Sequence, residues 1–118
     1  MGNNIYADGE FKFDKPLSDE KVKEINEYLG AEHREEGAIN PWCDYRVNNN
    51  EIEVSEGYND SLDAEWLKEI LKRLPEGTVV KGEVNYKDDY GEYWIYKIAG
   101  NKLFRQVGYI AYEEEEEV

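Results

Sequence analysis

The sequence predicts an α+β domain with the element order β-α-β-β-α-β-β-β, two helices packed on one mostly antiparallel sheet. Three observations predict it. Two segments carry apolar residues at helical spacing, and six shorter ones read as strands by alternation and by their bounding turns. Asn48-Asn49-Asn50, Asp88-Asp89-Tyr90-Gly91 and Gly100-Asn101 join neighbouring strands through tight turns. A chain of 118 residues is expected to form a single domain over 1–112, with 113–118 as a disordered acidic tail.

Residues 5–13 read as a strand, with Ala7, Gly9, Phe11 and Phe13 on one face and Asp8, Glu10 and Lys12 on the other. Ser18 then reads as an N-cap, with Asp19 and Glu20 in the first helical turn, where the dipole favours negative charge. Val22, Ile25 and Leu29 form the apolar stripe of a helix over 19–29, and Gly30 reads as its stop. Residues 31–41 are polar and read as a loop. Residues 42–47 and 51–55 form the arms of a hairpin around the three asparagines, with Ile52 and Val54 facing the core.

Residues 57–61 break the strand and supply the next N-cap. Trp66, Leu67, Ile70, Leu71 and Leu74 give the strongest helical signal, closed by Pro75 and Gly77. The last third is a meander. Val80, Gly82, Val84 and Tyr86 share one face of its first strand, and Trp94, Tyr96 and Ile98 one face of its second. A last strand over 102–112 places Phe104, Ile110 and Tyr112 on one side. With helices on one side only, Tyr93, Ile95, Leu103, Val107 and Tyr109 are expected to face outward.

Charge narrows the partner class. Twenty-eight Asp and Glu oppose fourteen Lys and Arg, a formal net charge of −14. Such a field repels nucleic acid and anionic membranes and attracts basic protein surfaces. Removing the glutamates at 113–117 still leaves roughly −9, so the excess belongs to the domain itself. No basic footprint for direct nucleic-acid binding and no glycine-rich phosphate loop is present. No apolar run approaches a membrane span and no secretory leader is recognisable, so a soluble, cytoplasmic protein is expected.

Site chemistry is sparse. Cys43 and His33 are the sole cysteine and histidine, too few for a zinc site of the usual kind and no signature of a thiol nucleophile. No cofactor, no metal and no catalytic residue are expected. A second reading rests on the aromatics. Tyr86, Tyr90, Tyr93, Trp94, Tyr96, Tyr109 and Tyr112 lie in or beside the meander. Cross-strand pairing accounts for most of them, but Tyr and Trp ringed by carboxylates also suit an interface for Arg and Lys. The partner-binding residues expected on this basis are Glu83, Asp88, Asp89, Tyr90, Glu92 and Tyr93.

The pieces Gly82-Glu83-Val84, Tyr93-Trp94-Ile95-Tyr96, Gly100-Asn101-Lys102 and Gly108-Tyr109-Ile110-Ala111-Tyr112 resemble the C-terminal meander of small acidic proteins of phages and mobile elements. Pro41-Trp42-Cys43 and Glu65-Trp66-Leu67 resemble the same proteins. The resemblance carries over no catalytic residue. It implies a phage-encoded, anti-defence inhibitor of the anti-CRISPR type, acting in the host cytoplasm. Such a protein binds a basic surface of a host nucleic-acid-handling protein, in some cases by DNA mimicry. The alternative expectation is a small-molecule-binding or sequestering protein that works as a homo-oligomer.

Overall fold

The computed structural model describes residues 4–31, 43–54, 56–107 and 116–118. Among these described residues, eight strands form one sheet: β1 (Asn4–Phe13), β2 (Arg46–Val47), β3 (Glu51–Glu53), β4 (Gly57–Tyr58), β5 (Val80–Asp88), β6 (Tyr93–Ala99), β7 (Lys102–Val107) and β8 (Glu116–Glu117). Two helices, α1 (Asp19–Ala31) and α2 (Ala64–Arg73), complete an α+β domain. The sheet order is β2-β3-β1-β5-β6-β7-β8, with β4 also on β1, and every pairing is antiparallel.

The first strand becomes the centre of the sheet because it is long and alternates cleanly. Ile5, Phe11 and Phe13 point into the core, while Asp8, Glu10 and Lys12 stay exposed. β5 pairs with β1 along its whole length, from Ile5–Asp88 to Phe13–Val80. Both helices cover the core face. Ile25 and Leu29 of α1 and Leu67 and Ile70 of α2 are buried there against Phe11, Val80, Val84 and Ile98.

The α1 start is as the sequence predicts: Ser18 Oγ accepts the Lys21 amide at 3.1 Å. Its end differs, because Gly30 lies inside the helix rather than after it. α2 begins with a short 3-10 turn (Asn59–Leu62) and Asp63 at the cap position, which makes no side-chain cap bond. The helices are tied by a three-residue cluster. Arg73 lies over the Tyr28 ring at 3.4 Å and reaches Glu69 at 2.7 Å, and Tyr28 donates to the same carboxylate at 3.2 Å. The Arg73 bond holds the Glu69 carboxyl below its ordinary range.

Two asparagine amides finish the sheet. Asn26 of α1 donates to the Val47 carbonyl and accepts the Val47 amide, both at 2.9 Å, which satisfies the edge of β2. Asn101 does the same for the start of β5, accepting from the Val80 amide at 2.7 Å and donating to the Thr78 carbonyl at 2.8 Å.

Several expectations need revision. The hairpin arm expected over 42–47 is regular only at Arg46–Val47, and Trp42 lies outside the described residues. The break expected at 57–61 contains β4, which pairs with the start of β1. Leu103 faces the core rather than outward. The two-residue turn at Gly100-Asn101 sets Ala99 against Lys102, so Ile98 meets Leu103 and Lys97 meets Phe104. That pairing puts the odd positions of β7 on the same side as the even positions of β6. Val107 shares the core side but lies at the margin, 51% exposed. Tyr109, Ile110 and Tyr112 lie outside the described residues, as do Glu113, Glu114 and Glu115. Glu116 and Glu117, expected in a disordered tail, pair with Arg105 and Phe104, and the Val118 amide donates to the Leu103 carbonyl at 2.9 Å.

Candidate functional site

The residues singled out for partner binding divide into four groups. Asp88 is only 8% exposed, and it builds the turn rather than presenting a charge. Its Oδ1 accepts the amides of Tyr90 at 3.0 Å and Glu92 at 2.9 Å. Its own amide donates to the Glu92 carbonyl at 3.1 Å, and Gly91 supplies the positive φ that closes the turn.

Asp89 anchors the tip to the start of β1. Its amide donates to the Asn4 carbonyl at 3.2 Å, its Oδ2 accepts the Asn4 amide at 3.1 Å, and its Oδ1 accepts the Tyr6 hydroxyl at 3.2 Å. The negative charge of Asp89, helped by that hydrogen bond, pushes the Tyr6 phenol up from its ordinary value.

Tyr90, Glu92 and Tyr93 face solvent beside the exposed Asp89. Tyr90 is 77% exposed and Tyr93 is 42% exposed. Glu92 is exposed beside them, and Glu56 adds a further negative field at Tyr6. Tyr93 stands opposite Lys87, and Lys87 opposite Tyr6, so one row of the sheet runs tyrosine, lysine, tyrosine. A groove of about 270 Å³ lies against this row, lined by Tyr6, Asp8, Asn85, Lys87 and Tyr93.

Glu83 does not belong with the others. It lies opposite Lys97, four residues along β5 from Lys87, or about 13 Å away. The outward face around it is not acidic. Outward positions of β1 and β5 carry Asp8, Glu10 and Glu83 together with Lys12, Lys81 and Lys87. β6 and β7 add Lys97 and Lys102. On β3, Glu51 and Glu53 share this face, so five carboxylates balance five lysines there, in a chain whose net charge is −14. The acidic excess lies elsewhere, on helix surfaces and at the hairpin tip.

Among the described residues, Tyr86, Tyr96 and Trp94 of the meander lie in or against the core. Tyr86 and Tyr96 are buried, and Trp94 stacks on Tyr86 with centroids 5.5 Å apart and planes 3° apart. Tyr96 meets Tyr86 edge-on at 4.9 Å. Sequence reasoning missed the closest polar contact of this cluster, between the hydroxyls of Tyr45 and Tyr86 at 2.7 Å. Nothing in local spacing links two residues so far apart in the chain.

Cys43 is buried. Its Sγ accepts the Tyr45 amide at 3.4 Å and donates to the Tyr45 carbonyl at 3.6 Å. Burial pushes the thiol up to about 12 from an ordinary 9.0, so it stays protonated at neutral pH. The unfolded chain therefore loses this proton first. Stability contributed by the buried thiol is fully present below about pH 9 and declines toward pH 12, by about 1.4 kcal/mol per pH unit. A Cys43→Ala variant is expected to show a flatter stability profile between about pH 9 and 10, before tyrosines titrate. Urea denaturation at stepped pH measures this, and parallel profiles for the two proteins would contradict it. His33 lies outside the described residues.

Among the described residues no group of three or more His, Cys, Asp or Glu is placed to hold a metal ion. No described helix is long and apolar enough to cross a membrane. Comparison with protein-family models, with curated proteins and with solved structures finds no match for this chain.

Proposed function

We propose that this protein is a non-enzymatic binding protein that docks a basic surface of a nucleic-acid-handling protein through the tip of the β5–β6 hairpin. The observation that carries the reading is Tyr90: a large aromatic side chain, 77% exposed, on a turn fixed from both sides by Asp88 and Asp89. A rigid tip loses little entropy on binding. Tyr90 and Tyr93 supply the amphipathic anchors that interfaces favour. Glu92, Glu56 and Asp89 supply carboxylates for Arg and Lys.

The same chemistry disfavours direct binding of nucleic acid at the tip, where Glu56, Asp89 and Glu92 gather. Inhibition of a host defence enzyme follows from this geometry if the tip occupies the enzyme's nucleic-acid groove. In that reading Glu92 and Asp89 take the place of phosphates, and the protein belongs to the phage anti-defence type that its sequence resembles.

The test compares wild type with a Tyr90→Ala/Glu92→Gln variant, each immobilised and exposed to cell extract at about 50 mM and about 500 mM salt. Basic nucleic-acid-binding proteins should be retained by wild type at low salt, released at high salt, and lost from the variant. Purified, the retained protein should lose activity on nucleic acid when wild type is added. Equal retention by wild type and variant would rule out the hairpin tip as the docking element.

A further inference from the structure

The open face of the sheet carries two like-charged cross-strand pairs in adjacent rows. Glu10 stands opposite Glu83, and two residues along the strands Lys12 stands opposite Lys81. All four residues are exposed. Like charges directly opposite each other destabilise a sheet, so neither pair is explained by the stability of this chain alone. The strain is relieved only in part within the chain. Lys12 reaches Glu10 at 3.4 Å across the two rows and stands opposite Glu51 of β3, and Lys97 stands opposite Glu83. Lys81 makes no ion pair among the described residues.

The two rows are about 7 Å apart, the rise of two strand residues. Consider a two-fold axis parallel to the sheet and just above its open face, running across the strands between these rows. It lays the Glu10–Glu83 pair of one copy on the Lys12–Lys81 pair of the other, and the reverse. Each like-charged pair then meets its complement, as an isologous interface requires. We propose that this face is the contact surface of a homodimer, with these two rows as its charge register.

Three further observations fit a second copy better than another occupant. A groove of about 420 Å³ opens at this point, lined by Glu10, Lys12, Lys81, Gly82, Glu83 and Lys97, with Ile98 and Ala99 behind them. It gives a partner lysine or glutamate side chain room to enter. Ile95 and Phe104, on the same face, are only half-buried and add apolar surface. An acidic peptide would satisfy Lys12 and Lys81 but would be repelled by Glu10 and Glu83, whereas a second copy matches both β1–β5 pairs. The charge of −14 on each copy opposes approach at long range. That repulsion is screened beyond about 8 Å at physiological salt, and on the proposed contact face lysines and carboxylates balance.

The inference stands apart from the role proposed for the hairpin tip and is tested apart from it. Light scattering on a sizing column, with sedimentation equilibrium, measures the mass of wild type up to about 1 mM. Wild type should reach twice 13.8 kDa. A Lys12→Glu/Lys81→Glu variant makes both rows negative, and a Glu10→Lys/Glu83→Lys variant makes both positive. Each alone should dimerise at least about tenfold more weakly, with an unchanged far-ultraviolet circular dichroism spectrum. Mixed in equal amounts, the two should recover a dimer. Lys81→Glu alone, a single exposed substitution, should weaken the dimer in the same direction. A wild type that stays monomeric throughout overturns the proposal. So does a wild-type dimer that Lys81→Glu and both double variants leave unchanged.

Discussion

Replacing Gly82 with alanine is expected to lower stability by about 3 kcal/mol or more, and Tm by more than about 10 °C. Gly82 lies in β5 with φ at 143°, a backbone region that side-chain-bearing residues rarely enter. A Cβ built there meets the Glu10 carbonyl oxygen and the Phe11 Cα of β1. Both neighbours are backbone in the middle of the sheet, so neither yields cheaply. Gly9 mirrors it across the same pair, with φ at 134° and a Cβ that would meet the Glu83 carbonyl oxygen. Two glycines therefore let the longest strand pair of the fold close up where each strand approaches the other most tightly. Gly91→Ala is the control. Its φ is 86°, yet nothing lies within 4 Å of the added carbon, so the cost is conformational alone, about 1–2 kcal/mol. Thermal and urea unfolding of both variants decide the matter. A Gly82→Ala protein no less stable than Gly91→Ala would show that β1 and β5 separate easily.

That pair also shows where sequence reading succeeds. β1 and β5 were legible because alternation over nine or ten residues leaves one choice of buried face. α2 was legible because five apolar residues fall within two turns. β7 was misphased, although its turn was recognised, because the face of a strand after a two-residue turn follows from pairing parity and not from its own apolar residues. With Leu103 and Phe104 adjacent, composition alone could not choose between them. β4 was invisible for another reason. Two residues make no periodic pattern, and Tyr58 and Gly57 are ordered by Asn4 and Ile5, more than fifty positions earlier.

The hairpin tip was found by its composition, but composition could not sort its carboxylates. A signal existed: an aspartate opening a turn bonds the amides two and four residues on, as Asp88 does. It marks Asp88 as the builder of the turn. The role of Asp89 depends on Asn4 and Tyr6, which only the β1–β5 pairing brings near.

Tyr45→Phe should cost about 2–4 kcal/mol, and Tyr86→Phe only about 1 kcal/mol, although both remove one hydroxyl from the same contact. The asymmetry follows from proton count. A tyrosine hydroxyl has a single proton to donate. Tyr45 gives its proton to the Leu62 carbonyl at 2.8 Å, since a carbonyl can only accept. The 2.7 Å contact between the two hydroxyls must then be donated by Tyr86. Removing the Tyr45 hydroxyl strands two buried groups at once, the Leu62 carbonyl and the Tyr86 proton. Removing the Tyr86 hydroxyl leaves the Tyr45–Leu62 bond intact. The double variant should cost less than the two singles together, because they share a partner. Burial raises both phenols above their ordinary value. The folded chain thus keeps two protons that the unfolded chain loses above about pH 10, and stability falls from that pH upward. In Tyr45→Phe one of those protons is gone, so the alkaline decline should be shallower by about 1.4 kcal/mol per pH unit. Urea denaturation at about pH 7 and about pH 10.5 measures both effects. Equal costs for the two single variants at neutral pH would mean that Tyr45 does not hold the Leu62 carbonyl.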